Sequence, residues 1–155
     1  MAIDYVTGDA TEPVGDGNKI IAHICNDIGG WGAGFVLALS QSWLEPEQGY
    51  HRWYESGEGF ALGQVQFVQV EMDVWVANMI AQQDVVADAQ GVPPIRYEAL
   101  EMCLQKVAVK AKQLGGGVHM PRIGCGLAGG KWEKIEPLIE KTLVAAGIVV
   151  TVYDL

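Results

Sequence analysis

Two stretches concentrate glycine in a way that lets a main chain hold an anion: Asn26-Asp27-Ile28-Gly29-Gly30-Trp31-Gly32-Ala33-Gly34 and Ile123-Gly124-Cys125-Gly126-Leu127-Ala128-Gly129-Gly130. Glycine admits positive φ and a close approach to the backbone. Successive N–H groups in such a turn form an anion-binding nest, which a following helix N-terminus reinforces. Neither stretch has the G-x-x-x-x-G-K-[ST] pattern or a clean dinucleotide-fold spacing. Two such loops in one small chain suit a pyrophosphate, which offers two anions. The same glycines equally suit plain, tight strand-to-helix connections. Other reactive side chains are sparse. Cys25, Cys103 and Cys125 include no C-x-x-C pair and read as reduced thiols. Cys25 and Cys125 have no obvious histidine partner, so small apolar packing is expected of them before nucleophilic chemistry. The three histidines are scattered, and no metal is expected from their spacing. His23, inside an apolar run, reads as a satisfied core histidine.

The elements that must position these loops are legible in the pattern of apolar residues. Residues 3–7 alternate as a strand. Lys19–Cys25 is a β-branched, largely apolar run of the kind a sheet buries on both faces. Phe35–Ser42 reads as a helix, and a second short helix covers part of Pro46–Glu55, with Pro46 in its first turn. Gln64–Glu71 alternates glutamine with apolar residues and pairs with Val74–Ile80 in a hairpin turning near Met72-Asp73. Gln83–Pro94 is a loop. Helical spacing runs over Ile95–Leu114 and stops at Gly115-Gly116-Gly117. Val118–Pro121 is a short buried strand, a final helix keeps Pro137 near its start, and Ile148–Tyr153 is a closing strand. Strands interleaved with helices predict an α/β fold, a central mixed sheet between helical layers. Both glycine-rich loops then leave strand carboxyl ends, where such sheets bind ligands.

The chain has 155 residues, half of them hydrophobic, which fits one globular domain without staples. Ten Lys+Arg against nineteen Asp+Glu give a net charge of −9. A chain so acidic lacks the electrostatic footprint for coating nucleic acid or anionic lipid, so any phosphate must be held by local donors. No signal peptide or membrane-spanning run is read, and a cytoplasmic monomer is the expectation.

Three stretches carry a resemblance: Tyr5-Val6-Thr7-Gly8-Asp9-Ala10, Ala22-His23-Ile24-Cys25-Asn26-Asp27-Ile28-Gly29-Gly30-Trp31-Gly32-Ala33-Gly34, and Met120-Pro121-Arg122-Ile123-Gly124-Cys125-Gly126-Leu127 followed by Trp132-Glu133. Together they resemble a macrodomain, a three-layer sandwich, over residues 3–153. The likeness is to the branch containing terminal ADP-ribose protein glycohydrolase and its bacterial relatives acting on ADP-ribosylated glutamate. It implies ADP-ribose and ADP-ribosylated proteins as partners, with no cofactor. Asp9 and Ala10 would meet the adenine, although Asp9 also suits a turn. The loop of Gly30, Trp31, Gly32, Ala33 and Gly34 would cradle phosphate and the distal ribose. Ile123, Gly124, Cys125, Gly126, Leu127 and Ala128 would close over the pyrophosphate. Asn26 would touch the distal ribose or form an Asx turn, and Trp31 would wall off the ribose or pack on its own helix.

The branch works through a lysine adduct and an aspartate, and this sequence has Gln82 and Ala128 at the matching positions. Gln cannot form a Schiff base and alanine cannot titrate. The expected catalytic set is therefore Gln82, Asn26 and Asp27. Gln82 would hold a water against the ligand's own phosphate, and Asp27 is the nearest alternative base. Gln82 also reads as an inert strand-end amide, and Asp27 as a solvated loop acid. Three functions follow from the resemblance: a hydrolase of glutamate-linked mono-ADP-ribose, a reader that binds without turnover, and an ADP-ribose-1''-phosphate phosphatase.

Overall fold

The computed structural model of the chain describes residues 2–155. Six strands form one sheet: β1 (Asp4–Thr7), β2 (Lys19–Asn26), β3 (Val65–Glu71), β4 (Val74–Gln82), β5 (Gly117–Met120) and β6 (Val150–Asp154), in the order β1-β6-β5-β2-β4-β3. The pairings are parallel except for the β3–β4 hairpin, in which Phe67 faces Ala77 and Gln66 faces Asn78. This is the mixed α/β sheet that the sequence predicts.

Strand period explains the layers, because successive side chains point to opposite faces. Ile20 and Ala22 of β2, with Ala77, Met79 and Ala81 of β4, face α3 (Tyr97–Leu114) and α4 (Trp132–Ile139). Ile21 and Cys25, with Val74, Val76 and Ile80, face α1 (Phe35–Ser42) and α2 (Glu45–Ser56). The central strands are thus buried on both sides, as their continuous apolar runs require. Each fully buried Ile or Leu of this core contributes about 1.5–3 kcal/mol.

Two helix boundaries differ from expectation. α3 starts at Tyr97, not at Ile95. The Ile95 N–H donates to the Ala128 carbonyl and the Arg96 N–H to Ala81, so tertiary contacts take the first turn's donors. Pro137 stands sixth in α4 and removes one bond of the helix ladder. Beyond it the chain widens into a π turn over Glu140–Val144, closed by the Ala145 N–H on the Glu140 carbonyl at 2.8 Å.

Candidate active site

β2 and β5 are adjacent and parallel, so the loops leaving them rise side by side from the carboxyl edge of the sheet. Each loop then enters a helix, α1 or α4. Between the loops lie two contiguous cavities of about 230 and 350 Å³. The smaller is walled by Ala33, Gly34 and Phe35 from one loop and by Pro121–Gly124 and Gly126–Ala128 from the other. The larger lies between Asn26, Gly30, Gly32 and Val85. Ile24, Ala33, Val36, Gln82 and Leu127 border both, so the two form one cleft.

The first loop is built on Asn26. Its Oδ1 accepts from the N–H groups of Ile28 and Gly30 and from the Tyr50 hydroxyl, while its Nδ2 donates to the Gly30 carbonyl at 2.9 Å. Oδ1 and one of the two Nδ2 hydrogens are engaged, so Asn26 both borders the cleft and organises the loop. Of the two places expected for Trp31, it takes the one packed on its own helix. Its indole is buried, donates to Ser40 Oγ at 2.8 Å, and packs edge-on to His23 and over Tyr50. With Trp31 turned inward, Gly32, Ala33 and Gly34 are left exposed on the cleft side before the first turn of α1.

The second loop folds back on itself. The Gly130 N–H meets the Gly124 carbonyl, and the Gly129 N–H meets Gly126. Gly124 has φ +74°, and a Cβ there would come within 2.5 Å of Ile95 Cδ1, so the position demands glycine. The side chains of Ile123 and Ala128 point into the core, which leaves their main chain to line the cleft. Leu127 is 68 % exposed at the rim. Cys125 borders neither cavity.

Gln82 ends β4 and lines both cavities. Its Nε2 donates to the Asp84 carbonyl, and Oε1 has no hydrogen-bond partner among the described residues. Asp27 does not join it. Its carboxylate accepts the Asp84 N–H at 2.7 Å in a separate recess with Asp88 and Arg96, so its expected role as a base in the cleft is corrected to a clamp on the 83–94 loop. Asp9 and Ala10 follow β1 on the same sheet edge but line neither cavity. Asp9 Oδ1 accepts from the Thr11 N–H and hydroxyl, a turn of the kind its sequence context allowed.

The cleft carries little ionisable chemistry. Cys25 borders it, but burial pushes its thiol well above the ordinary range. His23 is 2 % exposed, and burial pulls its imidazole down to about 4. Its Nε2 lies against Asn78 Oδ1, whose amide donates to the Pro46 carbonyl and Gln66 Oε1, so Nε2 carries the proton. Arg122, which sequence reasoning did not single out, borders the smaller cavity. Its guanidinium is held bidentate by Asp154 and lies over Tyr5 and Trp132. Its place inside the Met120–Leu127 stretch was the available signal. Among the described residues no three His, Cys, Asp or Glu side chains gather as a metal site, and no helix is long and apolar enough to cross a membrane.

No protein-family model matches the sequence. A solved macrodomain protein from Streptomyces coelicolor is 54 % identical, with a TM-score of 0.86 and 99 % of each chain covered. The chain belongs to the macrodomain family. This macrodomain is also 35 % identical, over 98 % of its length, to the chromodomain-helicase-DNA-binding protein 1-like of Danio rerio, but it spans only 15 % of that relative. Over 62 residues, 38 % of this chain and 40 % of the relative, it is 44 % identical to a human ADP-ribose glycohydrolase. It is 25 % identical to the ADP-ribose 1''-phosphate phosphatase of Candida albicans over 90 % of this macrodomain and 92 % of that enzyme.

Proposed function

We propose that this macrodomain binds ADP-ribose in the cleft between its two glycine loops and hydrolyses mono-ADP-ribose from glutamate side chains. The observation that carries the reading is the single cleft at the carboxyl ends of β2 and β5, lined on both sides by exposed main chain. Backbone N–H groups of the loops and the first turn of α1 are fixed donors for a pyrophosphate. The names of the human and Candida relatives support the ligand class.

The hydrolytic step then rests on orientation. Gln82 is the one polar side chain common to both cavities, and its Oε1 accepts a hydrogen bond from a water aimed at the anomeric carbon or the ester carbonyl. The ligand's own phosphate takes the water's proton as the bond to glutamate breaks. Positioning of this sort supplies much of a barrier without a titrating side chain.

A reader without turnover is the second reading, favoured by the absence of a carboxylate among the residues lining the two cavities. One experiment separates the readings: single-turnover assay on a glutamate-linked mono-ADP-ribosylated protein, with calorimetry of free ADP-ribose. The hydrolase releases intact ADP-ribose, and Gln82→Ala slows release by about 10–100-fold with affinity retained. Binding without release assigns a reader, and release of inorganic phosphate from the 1''-phosphate assigns a phosphatase. Release undiminished by Gln82→Ala removes Gln82 from the mechanism.

A further inference from the structure

A larger cavity of about 850 Å³ lies on the other side of the second glycine loop, between the start of α3 and the start of α4. It is separated from the cleft by a packed wall. The Ile95 N–H bonds to the Ala128 carbonyl, and Gly129 sits so close to Pro93 that an added Cβ would fall 2.7 Å from it. Leu62, Val92, Pro93, Ile95, Ala99 and Met102 give the cavity an apolar body. Val92 and Met102 remain 46 % and 45 % exposed there.

The mouth is cationic. Lys131 and Lys134 border it, and neither has a carboxylate within ion-pairing distance among the described residues. Lys134 Nζ stands 5.6 Å above the Tyr97 ring. Arg96 is spent on Asp88 at 4.0 Å, on Gln83 Oε1 and on the carbonyls of Pro93 and Ile95, and Glu98 is the one carboxylate in the lining. Two unpaired lysines against one acid stand out in a chain of ten Lys+Arg and nineteen Asp+Glu.

We propose that this cavity is a second binding site for a small amphipathic anion, an apolar chain or ring bearing one carboxylate or phosphate. The volume is that of a small-molecule site, with an apolar lining and few polar groups to orient the guest. A neutral guest would leave both ammonium groups unused. A long polyanion would meet the repulsion of a protein carrying −9.

The test is calorimetry of the whole chain with decanoate, decyl phosphate and decanol. At least one of the two anions binds at one site per chain, and decanol binds about tenfold more weakly or worse. The two anion arms distinguish a carboxylate from a phosphate head group. The Lys131→Gln/Lys134→Gln double variant, altered at the mouth alone, keeps its thermal midpoint and loses the preference for the anion. Val92→Glu places a carboxylate in the cavity and abolishes anion binding. Equal affinity for decanol and both anions, no binding of either anion, or a double variant that binds like the parent would overturn the proposal.

Discussion

The Tyr50 hydroxyl, buried beneath the first glycine loop, lies 2.7 Å from the Asn26 main-chain carbonyl and 2.9 Å from Asn26 Oδ1. One O–H is shared between two acceptors of the same residue. It fixes the last residue of β2 and the loop that follows it to α2. Burial pushes the phenol well up, so it stays protonated and remains a donor. Tyr50→Phe removes a hydroxyl donor shared by the Asn26 carbonyl and amide oxygens, although Ile28 and Gly30 still donate to Oδ1, a loss of about 0.5–1.5 kcal/mol. Denaturant unfolding should register this loss, and ADP-ribose affinity should fall with it. Unchanged stability and affinity together would mean that the loop holds its shape without Tyr50.

Within the second glycine loop, nearby positions make opposite predictions. A Cβ at Gly32 or Gly126 meets nothing within 4 Å, because both face the cleft, whereas one at Gly124 strikes Ile95, Ile135 and Ile24. Gly126→Leu is therefore expected to fold normally and to lose ADP-ribose binding by steric exclusion. Gly124→Ala is expected to lower the unfolding midpoint first, with strain of about 1–3 kcal/mol. Full ADP-ribose affinity in Gly126→Leu would remove the cradle from this cleft.

This contrast shows what was legible in the sequence. The helix Phe35–Ser42 and the hairpin around Met72-Asp73 were readable because apolar period and turn residues coincide there. The placement of the glycine loops followed from the strands before them. The directions of side chains within those loops were not readable, since distant partners decide them: Tyr50 for Asn26, Ser40 for Trp31 and Asp84 for Asp27. Ile95 fits the helical period of α3, yet its N–H is claimed by Ala128 from a segment of chain far downstream.

Acid should destabilise the fold before the carboxylates titrate. Burial pulls His23 and His119 from 6.5 down to about 4. Between those values the unfolded chain binds protons that the folded chain refuses, so stability is fullest above about pH 6.5 and declines as pH falls toward 4. The loss is on the order of 3 kcal/mol for each histidine by the bottom of that window. Denaturant midpoints across the window check it, and His119→Gln should flatten the profile. A profile level down to pH 5 would contradict the neutral, buried assignment of both rings.

Affinity for ADP-ribose should respond weakly to salt. Arg122, the one cation bordering the cleft, already has Asp154 at 2.8 and 3.0 Å, and the remaining donors are main-chain N–H groups. Few counterions are released when a pyrophosphate enters such a site, so affinity should change by less than about threefold between low and physiological salt. A steep decline would show that side-chain cations grip the ligand.

The strand order has a consequence for how the molecule comes into being. β1 pairs with β6 and has no other neighbour in the sheet, so the Asp4–Thr7 strand waits for Val150–Asp154. On the ribosome, the sheet can assemble from β2 to β4 while its first-made strand stays unpaired until the last is synthesised. Closing that contact joins residues as far apart as Asp4 and Thr151 and carries the longest loop closure in the sheet. The Asp9 end of the carboxyl edge is therefore the last part of the sheet to acquire its shape, well after both glycine loops have been translated.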